Sequence, residues 1–239
     1  MKEGLKILQF DLKSSWKWHL FGFAVMLGLI YAVLRYGAHE SFEDYFTEPL
    51  LSVDVVYLLA FSGTFMTFMY TPPFMPKRRQ LADHYIPMLD YVKQLPISLS
   101  GFAHYYFIKY VIMQLIFILV IASLLYSTWQ PYLSFSEYLA FVIFWLGVGL
   151  ILGFWSLSLY PYKNMILMIV LSTIVLIVFM ILGIFFFYKL TPDGLVGLIV
   201  NLIKKNQILL PIMSLILALV SYKLAHKQFV SFMERRRRI

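Results

Sequence analysis

Long apolar runs recur six times along this chain, separated by shorter polar stretches. A transmembrane helix needs about 20 mostly apolar residues, and the runs predict six such spans, at 18–36, 54–73, 106–128, 138–160, 164–188 and 207–225. The fifth is the clearest, because Asn164 to Tyr188 carries no charge. At 1.5 Å per residue it measures about 37 Å, longer than the hydrocarbon layer, so it tilts or projects beyond it. The second closes at Thr71-Pro72-Pro73, where proline removes backbone donors and stops a helix. Trp16, Trp18, Tyr31, Tyr36, Trp129, Tyr132, Tyr160 and Tyr162 gather near the expected ends, the depth at which amphipathic rings settle. The pattern predicts an all-α polytopic membrane protein forming a single transmembrane domain over 1–239.

Three shorter elements have a different texture. Over 3–17, Leu5, Leu8, Leu12 and Trp16 recur at helical spacing beside Lys2, Lys6, Lys13 and Lys17, the pattern of an interfacial helix lying among headgroups. Residues 74–105 form the one large inner loop. It opens on Lys77-Arg78-Arg79, and Leu81, Tyr85, Leu89 and Val92 then recur at helical spacing among Asp83, Asp90 and Lys93. This short amphipathic helix ends at Gln94-Leu95-Pro96, since proline disfavours helical geometry in the residue before it. Ser98 and Ser100 are candidate caps for the next span. Such a helix lies on the membrane or docks on a cytoplasmic partner; the loop's mixed charge and its Leu-Pro-Ile-Ser exit favour docking. The third element, 191–206, starts near Pro192, carries Leu195, Leu198, Ile199 and Leu202, and ends on Lys204 and Lys205. Cations suit a helix C-terminus, and the segment is expected to be re-entrant or to lie on the outer surface.

Composition agrees with lipid as the main solvent: 61% of the 239 residues are hydrophobic and 13% charged, against about a quarter charged in soluble domains. The remaining polar stretches are too scattered to hold a catalytic domain. The first apolar run follows a long charged lead without a small-x-small cleavage site, and is expected to be retained. A net charge of +8 would point to nucleic acid in a soluble protein, but its distribution here points to topology. With the N-terminus inside, Lys2, Lys6, Lys13, Lys17, Lys77, Arg78, Arg79, Lys93, Lys109, Lys163, Lys223, Lys227 and Arg235 to Arg238 face inward, and only Arg35, Lys189, Lys204 and Lys205 face outward. Basic residues favour the cytoplasmic side, so both termini are expected there, in a cell membrane. The terminal arginines read as a topology anchor or as a contact for anionic lipid.

Signals for chemistry are few. With no cysteine, disulfides, thiolate metal sites and a cysteine nucleophile are excluded. The five histidines, His19, His39, His84, His104 and His226, make no HExxH or paired spacing and are expected to be interfacial or solvated, and no phosphate-binding Gly-x-x-x-x-Gly-Lys-Ser/Thr loop occurs. Catalytic, cofactor and metal residues are therefore expected to be none. Gly147-Val148-Gly149-Leu150-Ile151-Leu152-Gly153 has a dinucleotide-like spacing but sits in a span, where Gly149 and Gly153 are expected to serve close helix packing. Mid-span ionisable residues, which ion-coupled carriers use, are essentially missing; Asp54, Arg35 and Lys109 fall near span ends, where they can snorkel or face water. An intramembrane enzyme is disfavoured on the same ground.

The run Leu89-Asp90-Tyr91-Val92-Lys93-Gln94-Leu95-Pro96-Ile97-Ser98, followed by Lys109, resembles the inner loop of type-2 ABC exporter permeases. There a Leu-Pro-x-Ser segment leads into the third of six spans, with a lysine often about ten residues on. The interfacial N-terminal helix, six spans and inner termini match as well, so the resemblance covers nearly the whole chain. In size and composition the chain is similar to the small half-permeases of Gram-positive peptide-toxin exporters, of the phenol-soluble modulin kind. One departure stands out: the Glu-x-Gly-Thr stretch common before the loop helix is replaced by Lys77-Arg78-Arg79-Gln80-Leu81-Ala82-Asp83.

The resemblance implies a permease subunit without an enzymatic centre, in which the loop helix couples to a separate ABC ATPase that binds the ATP. Arg78, Arg79, Leu81, Asp83, Tyr85, Leu89, Asp90, Lys93, Leu95 and Pro96 become the candidate ATPase-coupling residues. A second permease subunit, identical or paralogous, and membrane lipid are the other expected partners, with no role for nucleic acid. Apolar, aromatic-rich spans suit an amphipathic cargo such as a hydrophobic peptide. The alternative is a non-transporting immunity or partner protein that shields the membrane.

Overall fold

The computed structural model describes residues 3–9, 13, 24, 27–28, 31, 54, 97–158 and 194–237. Among the described residues every regular element is a helix. Four are continuous and well bounded: α1 (Leu99–Trp129), α2 (Phe135–Ser158), α3 (Gly194–Lys205) and α4 (Leu209–Arg237). Residues 3–9 are helical as well. The spans expected at 18–36, 54–73 and 164–188 fall almost wholly outside the described residues, as does the inner loop up to Pro96.

Three helices, α1, α2 and α4, are long and apolar enough to cross a bilayer. At 1.5 Å per residue they measure about 46, 36 and 43 Å. Helix α1 overruns the apolar window that predicted it at both ends, α2 at its start and α4 at its end, because caps and packing extend a helix beyond its apolar run. Helix α1 starts at Leu99 instead of 106, directly after Ser98, whose hydroxyl accepts a hydrogen bond from Gly101 N at 3.0 Å. Helix α2 starts at Phe135, not 138, behind a reciprocal capping box. Ser134 donates its N–H and its hydroxyl to the Glu137 carboxylate at 2.8 and 2.7 Å, and its hydroxyl accepts from Glu137 N.

The largest difference is in α4, which continues twelve residues past the expected end at 225. Asn206 opens it by accepting from the N–H groups of Ile208 and Leu209. Beyond the apolar half, Ala225, Phe229 and Met233 stay buried while Lys223, Leu224 and Lys227 do not. Burial at every fourth residue keeps one face of the polar half in contact with its neighbours.

Helices α1 and α2 form an antiparallel hairpin closed by a short connection, in which Tyr132 N and Leu133 N both donate to Trp129 O. Helix α4 packs chiefly along α2 and secondarily on α1, and α3 packs against α2. The burial pattern of α1 changes along its length. From Phe102 to Tyr110 nearly every residue is buried; beyond Gln114 burial narrows to Phe117, Ile118, Ile121, Ala122, Leu125 and Trp129. The opposite side of the helix exposes Ile112, Leu115, Ile116, Leu119 and Leu124, as a lipid-facing surface would.

Glycines on α2 set its distance to both neighbours. A Cβ at Gly147 would meet Ser214 Cβ on α4 at 2.6 Å, and one at Gly153 would fall inside the Tyr110 ring of α1. Small residues allow such close backbone approach between membrane helices.

Candidate functional site

The residues singled out for ATPase coupling, from Arg78 to Pro96, lie outside the described residues. What is described is the point where the inner loop enters the bundle, and several elements converge on it. Glu3 accepts from Ser98 N at 3.1 Å and from the Ser98 hydroxyl. That hydroxyl in turn accepts from Gly101 N, so the exit of the inner loop, the first turn of α1 and the N-terminal segment share one polar node. The Ser98 hydroxyl, and then its N–H, hold the Glu3 carboxyl below the ordinary carboxylate range, since both bonds favour the ionised form. A carboxylate here also complements the positive end of α1.

Two glycines make that node possible. A Cβ at Gly4 would stand 2.8 Å from Gly101 O and 2.9 Å from Tyr105 N, and one at Gly101 would collide with the Glu3 carboxylate and the Ser98 hydroxyl. Leu8, one turn on, is buried at the same contact, while Leu5 is exposed. The N-terminal segment therefore crosses closely over the first turns of α1.

Above the node an aromatic and imidazole cluster ties α1 to the polar half of α4. His104 Nδ1 and the Tyr222 hydroxyl are 2.7 Å apart, and the His104 and His226 rings stack with centroids 4.2 Å apart. Phe107 meets Tyr222, His226 and Phe229 edge-on, and Phe102 and Tyr106 lie against Phe229. Interlocked rings of this kind add about 0.5–1.5 kcal/mol per pair beyond their buried area. Among the described residues no group of three potential metal ligands occurs.

Lys109 and Asp54 are where the structure departs from expectation. Neither faces water: Lys109 is 3% exposed and Asp54 is 0% exposed. The Lys109 ammonium lies 3.4 Å from the Tyr105 hydroxyl and 5.7 Å from that ring's centroid, because the inner part of α1 is enclosed on all sides. Asp54 accepts from Leu195 N and Val196 N at 2.8 and 2.9 Å. It thus satisfies the first amides of α3, whose leading residue, Gly194, has a φ of +66° suited to glycine.

Helix α3 falls within the 191–206 segment. Its twelve residues, about 18 Å, are too few to cross the hydrocarbon layer. It buries Val196, Ile199, Val200 and Ile203 and ends on exposed Lys204 and Lys205.

In the middle of the bundle the Tyr110 hydroxyl donates to Gly149 O at 2.8 Å, and Gly153 receives the Tyr110 ring. One turn along the same face stands Gln114, fully buried. Glu3, Tyr110, Gln114 and Tyr222 had no role assigned from sequence, and His104 and His226, expected to be interfacial or solvated, lie half-buried in the ring cluster. Only Gln114 left a plain signal, as the lone amide inside an apolar run, and Ser134-Phe135-Ser136-Glu137 was a legible capping box.

Among the described residues the structure is all-helical, with three helices of bilayer-spanning length and composition. Comparison with family models, curated proteins and solved structures finds no match.

Proposed function

We propose that this chain is the permease subunit of an ATP-driven exporter of the type-2 ABC class, forming half of a path for an amphipathic or hydrophobic cargo such as a peptide. In this reading it crosses the cell membrane six times with both termini in the cytoplasm, behind an interfacial N-terminal helix. A second permease subunit completes the path, and a separate ATPase binds and hydrolyses ATP. The loop helix carrying Arg78, Arg79, Leu81, Asp83, Tyr85, Leu89, Asp90, Lys93, Leu95 and Pro96 docks on that ATPase.

The observation that carries the reading is the node at Ser98. The loop exit is bonded to Glu3 and caps α1, a continuous helix of 31 residues. A displacement of the loop is therefore handed to a rigid span of about 46 Å, as a subunit driven from the cytoplasm needs. The His104–Tyr222–His226 cluster links the same end of α1 to α4, so the two would move together as a rigid body.

The test is capture of the ATPase. Tagged full-length chain, expressed in its native host and purified in mild detergent, is expected to retain an ATP-binding subunit. Charge reversal at Asp83, Asp90 and Lys93 is expected to release that subunit and abolish export. Wild-type chain that never copurifies with an ATPase, together with export unaffected by the reversals, would sink the reading in favour of an immunity or partner protein.

A further inference from the structure

Gln114 is the midpoint of α1, fifteen residues from Leu99 and fifteen from Trp129, or about 22 Å from each end. It is 0% exposed, and neither its amide nitrogen nor its amide oxygen has a hydrogen-bond partner among the described residues. This is an expensive arrangement, because an unpaired carboxamide loses its hydration without compensation. A leucine or methionine would fill the same volume without that penalty, as Phe117 and Ile118 do beside it on the buried face.

The surroundings narrow what the carboxamide could bind. Tyr110, one turn before it, has its hydroxyl committed to Gly149 O. Lys109 lies on a different side of α1 and reaches toward Tyr105. Lys109 is the one charged residue among the buried positions of α1, five residues before Gln114 and well round the helix from it. A carboxamide offers an acceptor and two donors, so it can accept from the N–H of one peptide group and donate to the C=O of a neighbouring one.

We infer that Gln114 is a cargo-binding residue that hydrogen-bonds a peptide group of the transported chain at mid-membrane depth. The inference rests on the exporter reading, and it adds to it a specific recognition chemistry. A hydrophobic peptide entering the bundle in extended form carries amides that lipid cannot satisfy. When α1 and its neighbours part to admit it, the unpaired carboxamide and an unpaired peptide group satisfy each other. Burial without a partner then raises the free energy of the closed arrangement and strengthens binding in the open one.

The experiment uses full-length chain in lipid nanodiscs and, as probe, a fluorescent hexapeptide of Leu and Lys, too short to pair its amides in a helix. Gln114→Leu and Gln114→Met are expected to match or exceed wild type in thermal midpoint, since an unsatisfied amide is removed. Both are expected to weaken peptide binding about tenfold, the loss of two net hydrogen bonds, and Gln114→Asn, which keeps the carboxamide, to weaken it less. A lower thermal midpoint in both apolar variants overturns the inference, because the amide then has a structural partner such as a buried water. Binding within twofold of wild type, or no saturable binding by wild type, overturns it equally. Failure to capture an ATPase strikes the exporter reading alone, because peptide binding is measured on the permease by itself.

Discussion

Replacing Gly153 by alanine adds one methyl group to the tightest contact between α1 and α2. That methyl falls inside the Tyr110 ring, and the ring has little freedom to yield. Tyr110 is 0% exposed, its hydroxyl is held by Gly149 O, and Phe154 lies edge-on at 6.0 Å. Either the helices separate or Tyr110 leaves its rotamer and drops its bond. Overpacking of this kind costs about 1–3 kcal/mol, and an interhelical hydrogen bond in a membrane adds roughly 0.6 kcal/mol if lost. At about 2–4 °C per kcal/mol for a chain of this size, the thermal midpoint in detergent is expected to fall by several degrees. Intrinsic tryptophan fluorescence reports it. The decisive arm is the double variant: Tyr110→Leu vacates the space that the methyl needs, so Gly153→Ala is expected to cost much less in that background. Such non-additivity marks residues in direct contact. Equal costs of Gly153→Ala in the two backgrounds would refute the packing argument.

Asp54→Ala leaves two amides of α3 without their acceptor and is expected to destabilise that helix by about 1–2 kcal/mol. Faster hydrogen exchange at Leu195 and Val196 reads this out, with Asp54→Asn falling between. Glu3 has its carboxyl pKa lowered in the folded chain, so its contribution is present above the unfolded value of about 4.3. It fades as pH falls through the lower folded value, and Glu3→Gln is expected to erase that acid-dependent loss in thermal scans below about pH 4. Because the chain has no cysteine, single cysteines report sidedness directly. One at Gln130 is expected to react with an impermeant maleimide from outside intact cells, and one at Lys227 only after the membrane is opened; the reverse pattern would invert the topology.

Apolar runs made the three described bilayer-length helices legible because hydropathy senses burial in lipid. Their ends were less legible because caps and late packing set them. Ser98 and the Ser134–Glu137 box start α1 and α2 several residues before the apolar windows. In α4 the residues after 225 are too polar for a hydropathy window, yet Ala225, Phe229 and Met233 keep them helical against α1. Gly149 and Gly153 stood out in sequence by composition, but their counterpart Tyr110 did not, since nothing local says which of many aromatics meets a given glycine. Lys109 and Asp54 were misplaced for the same reason. A charge near the end of an apolar run reads as water-facing unless the neighbouring elements are known.

The polar groups of this bundle divide by depth, and that division bears on how it could work. At the start of α1 Glu3 and Ser98 tie separate segments to one point through satisfied hydrogen bonds. At the head of α3 Asp54 accepts from two backbone amides. Between them, α1 from Tyr110 to Trp129 holds no charge, and its one buried amide, Gln114, has no hydrogen-bond partner among the described residues. Anchored ends around an unmatched centre suit a bundle that pivots as stiff helices and changes its polar contacts in the middle. A scaffold selected for stability alone would have the opposite arrangement, with apolar residues at the centre. If Gln114→Leu raises the thermal midpoint while peptide binding falls, the centre has been kept polar for cargo at the expense of stability; if the midpoint falls, Gln114 belongs with Asp54 and Glu3 as a structural anchor.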